Sequence, residues 1–130
     1  MSEHEQQVSV LLVEDDVAIS DMYATALRMA GYSVHTAADG AAGLIAAVTE
    51  PPDVVLLDII LPELDGFDVL QRLKGNSKTA KIPVLLLSNL SQPEQLERGK
   101  VLGAVDYFVK ANHIPADIVR RLHELLPSRS

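Results

Sequence analysis

Cysteine is absent from this 130-residue sequence. Disulfides and thiolate metal sites are therefore excluded. The lack suits a reducing compartment, although exported chains also do without cysteine. Positive charge is scarce: eleven Lys and Arg face eighteen Asp and Glu, for a formal charge of −7. That balance argues against general binding of nucleic acid or of anionic membranes. No apolar run approaches the roughly 20 residues that a transmembrane helix needs. The opening MSEHEQQ is polar, with no basic-then-apolar leader pattern. Repeats and low-complexity segments are missing too. The expectation is a soluble, cytoplasmic protein with no membrane contact and no direct contact with nucleic acid.

What is present is a steady alternation. One domain fits the length, and it buries roughly two-thirds of its unfolded surface without staples. Residues 8–13 are β-branched and leucine-rich, and three acids follow them. Ile19, Met22, Tyr23, Ala26, Leu27 and Ala30 recur at helical spacing, and Gly31 supplies a stop. Residues 32–36 alternate like a less buried strand. Asp39 opens an alanine-rich helix that Pro51 and Pro52 end. Residues 53–57 are apolar after the first, as in a strand covered on both faces. Phe67, Leu70 and Leu73 mark a helix ending at Gly75, with a polar loop over 76–81. Residues 82–87 form a second all-apolar strand. Ser91 and Glu94 have capping-box spacing, with Pro93 in the first turn of a helix that stops at Gly103. A fifth strand covers 104–109. Ile114, Ile118, Val119, Leu122, Leu125 and Leu126 give a final amphipathic helix. Arg120 and Arg121 fall on its polar, solvated face. His4, His35, His113 and His123 have no metal-ligand spacing and are read as surface residues.

Five strand–helix units predict an α/β fold, a five-stranded parallel sheet with helices on both faces. Ligands of such sheets sit at the carboxyl ends of the strands. Glu14, Asp15 and Asp16 follow the first strand there, Asp58 the third, Ser88 the fourth and Lys110 the fifth. Carboxylates crowded at one edge repel each other and call for a cation. Oxygen donors without His or Cys suit Mg2+ ahead of Ca2+. Lys110 adds a mobile positive charge and Ser88 a small hydroxyl donor. Together they make a pocket for a phosphoryl group. Asp58 can then act as a nucleophile that forms an acyl phosphate.

The motifs VLLVEDD, VVLLDIILPELDG, PVLLLSN and DYFVKAN stand in register along the chain. In that order they resemble the receiver domain of bacterial two-component response regulators, the class that includes the stand-alone chemotaxis regulator. The resemblance covers 8–126. It leaves a disordered tail at 1–7 and a short tail at 127–130, and the initial Met favours a complete single domain. It implies the flavodoxin-like strand order 2-1-3-4-5. It implies Asp58 as the phosphoacceptor, with Glu14, Asp15, Asp58 and the main-chain carbonyl of Ile60 holding Mg2+. Ser88 would contact the phosphoryl group and pull its loop inward. Lys110 would pair with the phosphoryl oxygens. Tyr107 stands at the aromatic switch position. Pro62 and Gly66 shape the loop that fixes Asp58 and Ile60, and Asp16 is read as a helix cap. A sensor histidine kinase or a His phosphotransfer protein would donate the group, and a downstream protein target would read it. Monomer and dimer both stay open.

Two positions depart from the family pattern. Asn89 stands where a very small residue is usual. It can hinder phosphodonors and attacking water, or it can hydrogen-bond the phosphoryl group. Ala111 stands where a cis-linked proline is usual. A cis bond to a non-proline costs about 2.5–4 kcal/mol, so a trans Lys110–Ala111 bond is expected. Three other readings compete. An Asp-nucleophile, Mg2+-dependent phosphatase wants a second acid two residues after the nucleophile, where Ile60 stands. A flavin module wants a small polar phosphate loop after the first strand, where Glu14, Asp15 and Asp16 would repel phosphate. A pseudo-receiver would bind partners without phosphorylation, and Asn89 keeps that reading open.

Overall fold

The computed structural model describes residues 7–126. His4, residues 1–6 of the expected N-terminal tail and the tail at 127–130 lie outside the described residues. The elements alternate as the sequence predicts. They are β1 (Ser9–Val13), α1 (Val17–Met29), β2 (Ser33–Ala37), α2 (Gly40–Thr49), β3 (Val54–Asp58), α3 (Gly66–Lys74), β4 (Val84–Ser88), α4 (Pro93–Val101), β5 (Asp106–Val109) and α5 (Pro115–Leu125), with a short 3-10 turn (Lys110–Asn112) before the last helix. The strands lie in the order β2-β1-β3-β4-β5, and every pair is parallel.

Successive strand residues point to opposite faces, so each inner strand feeds two cores. Leu11, Val13, Val55, Leu57, Val84 and Leu86 meet Ala47 of α2 and Phe67, Leu70 and Leu73 of α3 on one face. Val10, Leu12, Val54, Leu56, Leu85 and Leu87 meet Tyr23, Ala24 and Leu27 of α1 and Ile118 and Leu122 of α5 on the other. The central strands β3 and β4 are buried at all five positions. That is why their sequences are apolar throughout instead of alternating. β2 lies at the edge and buries only Ala37 fully. Each fully buried Leu contributes roughly 1.5–3 kcal/mol, so these two layers dominate the stability of the fold.

Polar caps set the helix starts. Asp16, Asp39 and Asp65 accept the backbone N–H groups of Ile19, Ala42 and Asp68 at 3.0, 2.7 and 2.9 Å. Gly31 and Gly103 follow helices with φ of +98° and +103°, a region that glycine enters at little cost.

Four expectations need correction. Ser91 is not the cap of α4. Gln92 is the N-cap, with φ −74° and ψ 145° and no side-chain bond. Proline disfavours a helical conformation in the residue before it, so Gln92 cannot serve as the first helical residue. Arg121 is not merely solvated, because its Nε donates to Asp106 Oδ2 at 2.7 Å. His113 is half-buried, with its ring edge-on to Phe108 at 4.8 Å. The strands at 53–57, 82–87 and 104–109 each begin one or two residues later, at Val54, Val84 and Asp106.

Candidate functional site

The carboxyl ends of β1, β3, β4 and β5 assemble the site. Glu14 lies one residue past β1, and its N–H still donates to Ala37 O at 3.0 Å. This extra bond holds Glu14 in line with the strand, and the residue is buried. Its Oε2 accepts the N–H of Asp16 at 3.2 Å. Asp15 beside it is exposed, while Asp16 caps α1 as the sequence suggests. Asp58 ends β3, and its Oδ1 accepts the N–H of Ile60 at 3.2 Å. Ser88 ends β4 opposite Val109, fully buried, and its Oγ accepts the N–H of Leu90 at 3.3 Å.

Lys110 follows β5 and reaches across to the acids. Its Nζ donates to Glu14 Oε1 and, at 3.1 Å, to Asp58 Oδ2. The side chains of Lys110, Glu14 and Asp58 are only 11, 3 and 8% exposed. Burial alone would push the ammonium down. The hydrogen bond it donates to Glu14 and the charges of Asp58 and Glu14 outweigh it and hold Lys110 above the ordinary lysine range. Lysine therefore stays charged across physiological pH.

Glu14, Asp15 and Asp58 bring one carboxylate oxygen each to within 4.8 Å of one another. The Lys110 ammonium is bonded to two of these three acids, Glu14 and Asp58, so a single positive charge stands against three carboxylates. The two buried acids, Glu14 and Asp58, have one ammonium between them, and charge short of a full partner is costly there, while Asp15 is exposed. The donors are all hard oxygens, without nitrogen or sulfur. This set fits a hard divalent cation such as Mg2+.

The loop after Asp58 is folded tightly. The N–H of Gly66 donates to Ile59 O at 2.8 Å. A Cβ on Gly66 would stand 2.3 Å from Asp58 O and 2.6 Å from Ile59 Cα, so the close approach requires glycine. Glu63 adopts φ +64°, which costs a non-glycine residue roughly 1–2 kcal/mol. Leu64 N–H donates to Pro62 O at 2.8 Å across that turn. The proline and the glycine thus bracket a stiff loop that leads away from Asp58.

The residues beyond the first contacts are also placed. Tyr107 is half-buried, and its Oη donates to Leu90 O at 2.6 Å. Burial pushes its phenol up, the Ser88 hydroxyl opposes this, and the charge of Asp58 adds to it. The Lys110–Ala111 bond is trans, as expected. Sequence reasoning counted Tyr23 only as core. Burial raises its phenol, with Lys110 opposing and Glu14 and Asp58 adding, so its hydroxyl feels all three charges. Sequence reasoning also missed that Asn89 Oδ1 accepts the N–H of Ala111 at 3.0 Å. No local signal joins residues 22 positions apart.

The family profile of the response regulator receiver domain matches residues 10–123. This chain is a response-regulator receiver domain. It belongs to two-component signalling, as a receiver of a signalling protein and not an enzyme in the ordinary sense. The receiver is 43% identical over 117 residues to the DNA-binding dual master transcriptional regulator RpaA of Synechocystis, covering 90% of this chain and 48% of that protein. It is 40% identical over 121 residues to the probable transcriptional regulatory protein TcrX of Mycobacterium tuberculosis, covering 93% of this chain and 50% of that one. The receiver thus spans about half the length of these curated relatives. Its backbone is similar to that of the Vibrio cholerae chemotaxis protein CheY4, with a TM-score of 0.86, 32% identity and coverage of 92% of this chain and 99% of that one. No helix among the described residues is long and apolar enough to cross a membrane.

Proposed function

We propose that the receiver is a switch thrown by phosphorylation of Asp58. The observation that carries this reading is the Asp58 carboxylate at a strand end, bonded to Lys110 beside Glu14 and Asp15. The donor is a phosphohistidine on a sensor histidine kinase or a His phosphotransfer protein. An Asp58 carboxylate oxygen attacks phosphorus. The P–O bond forms, the P–N bond breaks, and the imidazole nitrogen keeps the electron pair. Asp58 thereby becomes an acyl phosphate.

The other residues take roles around that step. Glu14, Asp15, Asp58 and the Ile60 carbonyl would hold Mg2+. The ion, when bound, supplies the positive charge that the acids and the phosphoryl oxygens both need. Lys110 exchanges carboxylate partners for a phosphoryl oxygen without losing its proton. Ser88 donates its hydroxyl to another oxygen. That contact draws on residues 88–90, where Tyr107 is anchored through Leu90 O. The phosphoryl group thus biases an equilibrium between two arrangements of this loop and Tyr107. A protein partner reads the changed surface in the cytoplasm. The names of RpaA and TcrX describe transcriptional regulators, and DNA binding is a property of RpaA as a whole. The receiver itself carries a formal charge of −7 and is assigned protein partners, not nucleic acid.

Intact mass after incubation with phosphoramidate and Mg2+ tests the reading. One phosphoryl adduct is expected, absent in Asp58→Asn and in a sample with chelator. An adduct that persists in Asp58→Asn contradicts the assignment. No adduct, where a control receiver reacts, favours a module that binds without phosphorylation.

A further inference from the structure

Ser88 ends β4 and Lys110 directly follows β5, and these strands run side by side, with Ser88 opposite Val109. The next residue along each path is exposed: Asn89 after Ser88, Ala111 after Lys110. These two exposed residues are joined, since Ala111 N–H donates to Asn89 Oδ1 at 3.0 Å. Among the described residues no other hydrogen bond joins 89–92 to 110–114. The bond also settles the orientation of the amide, because only its oxygen can accept from an N–H. A proline at 111 would have no N–H to give, and a glycine or alanine at 89 no side-chain oxygen to receive it. The two departures from the family pattern are therefore one feature.

We propose that Asn89 is a positioning residue, whose side chain ties the Ser88 loop to the Lys110 turn. The tie sets the gap in which a phosphoryl group on Asp58 has to fit between the Ser88 hydroxyl and the Lys110 ammonium. This rests on the phosphoryl-transfer reading above. The far side of the Lys110 turn is already fixed by His113 against Phe108. Asn89 fixes the near side. An exposed hydrogen bond is modest in strength, so the tie tunes the reaction and does not create it.

The test uses the full chain with Asn89→Ala and Asn89→Leu. Leucine keeps about the size of asparagine and removes its oxygen. Solvent-exchange NMR reports the Ala111 amide, and intact mass reports phosphoryl uptake from phosphoramidate with Mg2+. In both variants the Ala111 amide exchanges faster by about 3- to 10-fold, and uptake slows by a similar factor. In a Lys110→Ala background, Asn89→Ala changes the residual rate less than about twofold, because the residue it positions is gone. Unchanged Ala111 exchange overturns the tie. Faster uptake in Asn89→Ala with wild-type uptake in Asn89→Leu overturns positioning and makes Asn89 a steric gate. A full effect of Asn89→Ala without Lys110 overturns it as well. If the wild type takes no phosphoryl group, the phosphoryl-transfer reading fails and this inference with it. A wild-type adduct with unaltered variants overturns this inference alone.

Discussion

The two ends of the same sheet handle acids in opposite ways. At the amino ends, Asp53 sits just before β3 beside the start of β1. Its Oδ2 accepts the N–H and the Oγ of Ser9 at 2.8 and 3.2 Å. Its own N–H donates to Ser9 O at 2.9 Å and lies 3.1 Å from Ser9 Oγ. One carboxylate accepts from two groups of Ser9, and the hydrogen bonds close the joint. At the carboxyl ends, the same two strands deliver Glu14, Asp15 and Asp58 to one point, where Lys110 is bonded to Glu14 and Asp58. The lesson is that an acid at a strand end is not yet a site. A site is where several acids converge on one ammonium and leave a surplus of negative charge.

That contrast can be broken at either end. The largest effect is expected from Lys110→Met, which leaves Glu14 and Asp58 buried without their cation. Without divalent ions it should lose about 3 kcal/mol of stability, and Mg2+ should restore most of the loss. Urea unfolding with and without Mg2+ reads this. A variant indifferent to Mg2+ would remove the distinction between the two ends. Gly66→Ala should cost about 2 kcal/mol, because its Cβ has to displace backbone at Asp58 and Ile59. Its Mg2+ affinity should fall with it, since Asp58 shifts. Ser9→Ala should cost about 1 kcal/mol at the closed end, by the same amount with and without Mg2+.

The smallest effect belongs to Asp117, which lies away from the charge surplus. Its carboxylate is held below the ordinary range, first by the Ile114 N–H, with desolvation opposing and His113 and Arg120 assisting. A depressed folded-state pKa gives stability that is present above the unfolded value near 3.8 and is lost as pH falls through the folded value. Asp117→Asn should therefore melt slightly lower than wild type at pH 6, with the gap narrowing as pH falls toward 2. A gap that widens toward pH 2 would reverse the sign.

The fold was legible because its signals are local. Doubly buried strands such as β3 are apolar at each position before Asp58, and helices such as α1 keep a 3.6-residue stripe. The meeting of Glu14, Asp58 and Lys110 was legible too, because strict alternation puts every strand end on one edge. What stayed hidden was pairwise and distant. Arg121 reads as a surface charge until β5 brings Asp106 to it. Thr79 reads as part of a polar loop, yet it is buried and its Oγ1 donates to Leu73 O at 2.7 Å. Asn89 reads as an intrusion until Ala111 is found to need an acceptor. Ser91 misled because a capping pattern was weighed without the constraint that Pro93 puts on Gln92.

The most direct measurement locates the phosphoryl group. The receiver is phosphorylated with Mg2+, reduced with borohydride, which turns an acyl phosphate of Asp into homoserine, and digested for peptide sequencing by mass. Homoserine at position 58 alone, with Asp53 at the closed end of the sheet untouched, is the predicted result. Homoserine at Asp53, or at any position other than 58, would contradict the claim that the unbalanced end of the sheet is the one built for chemistry.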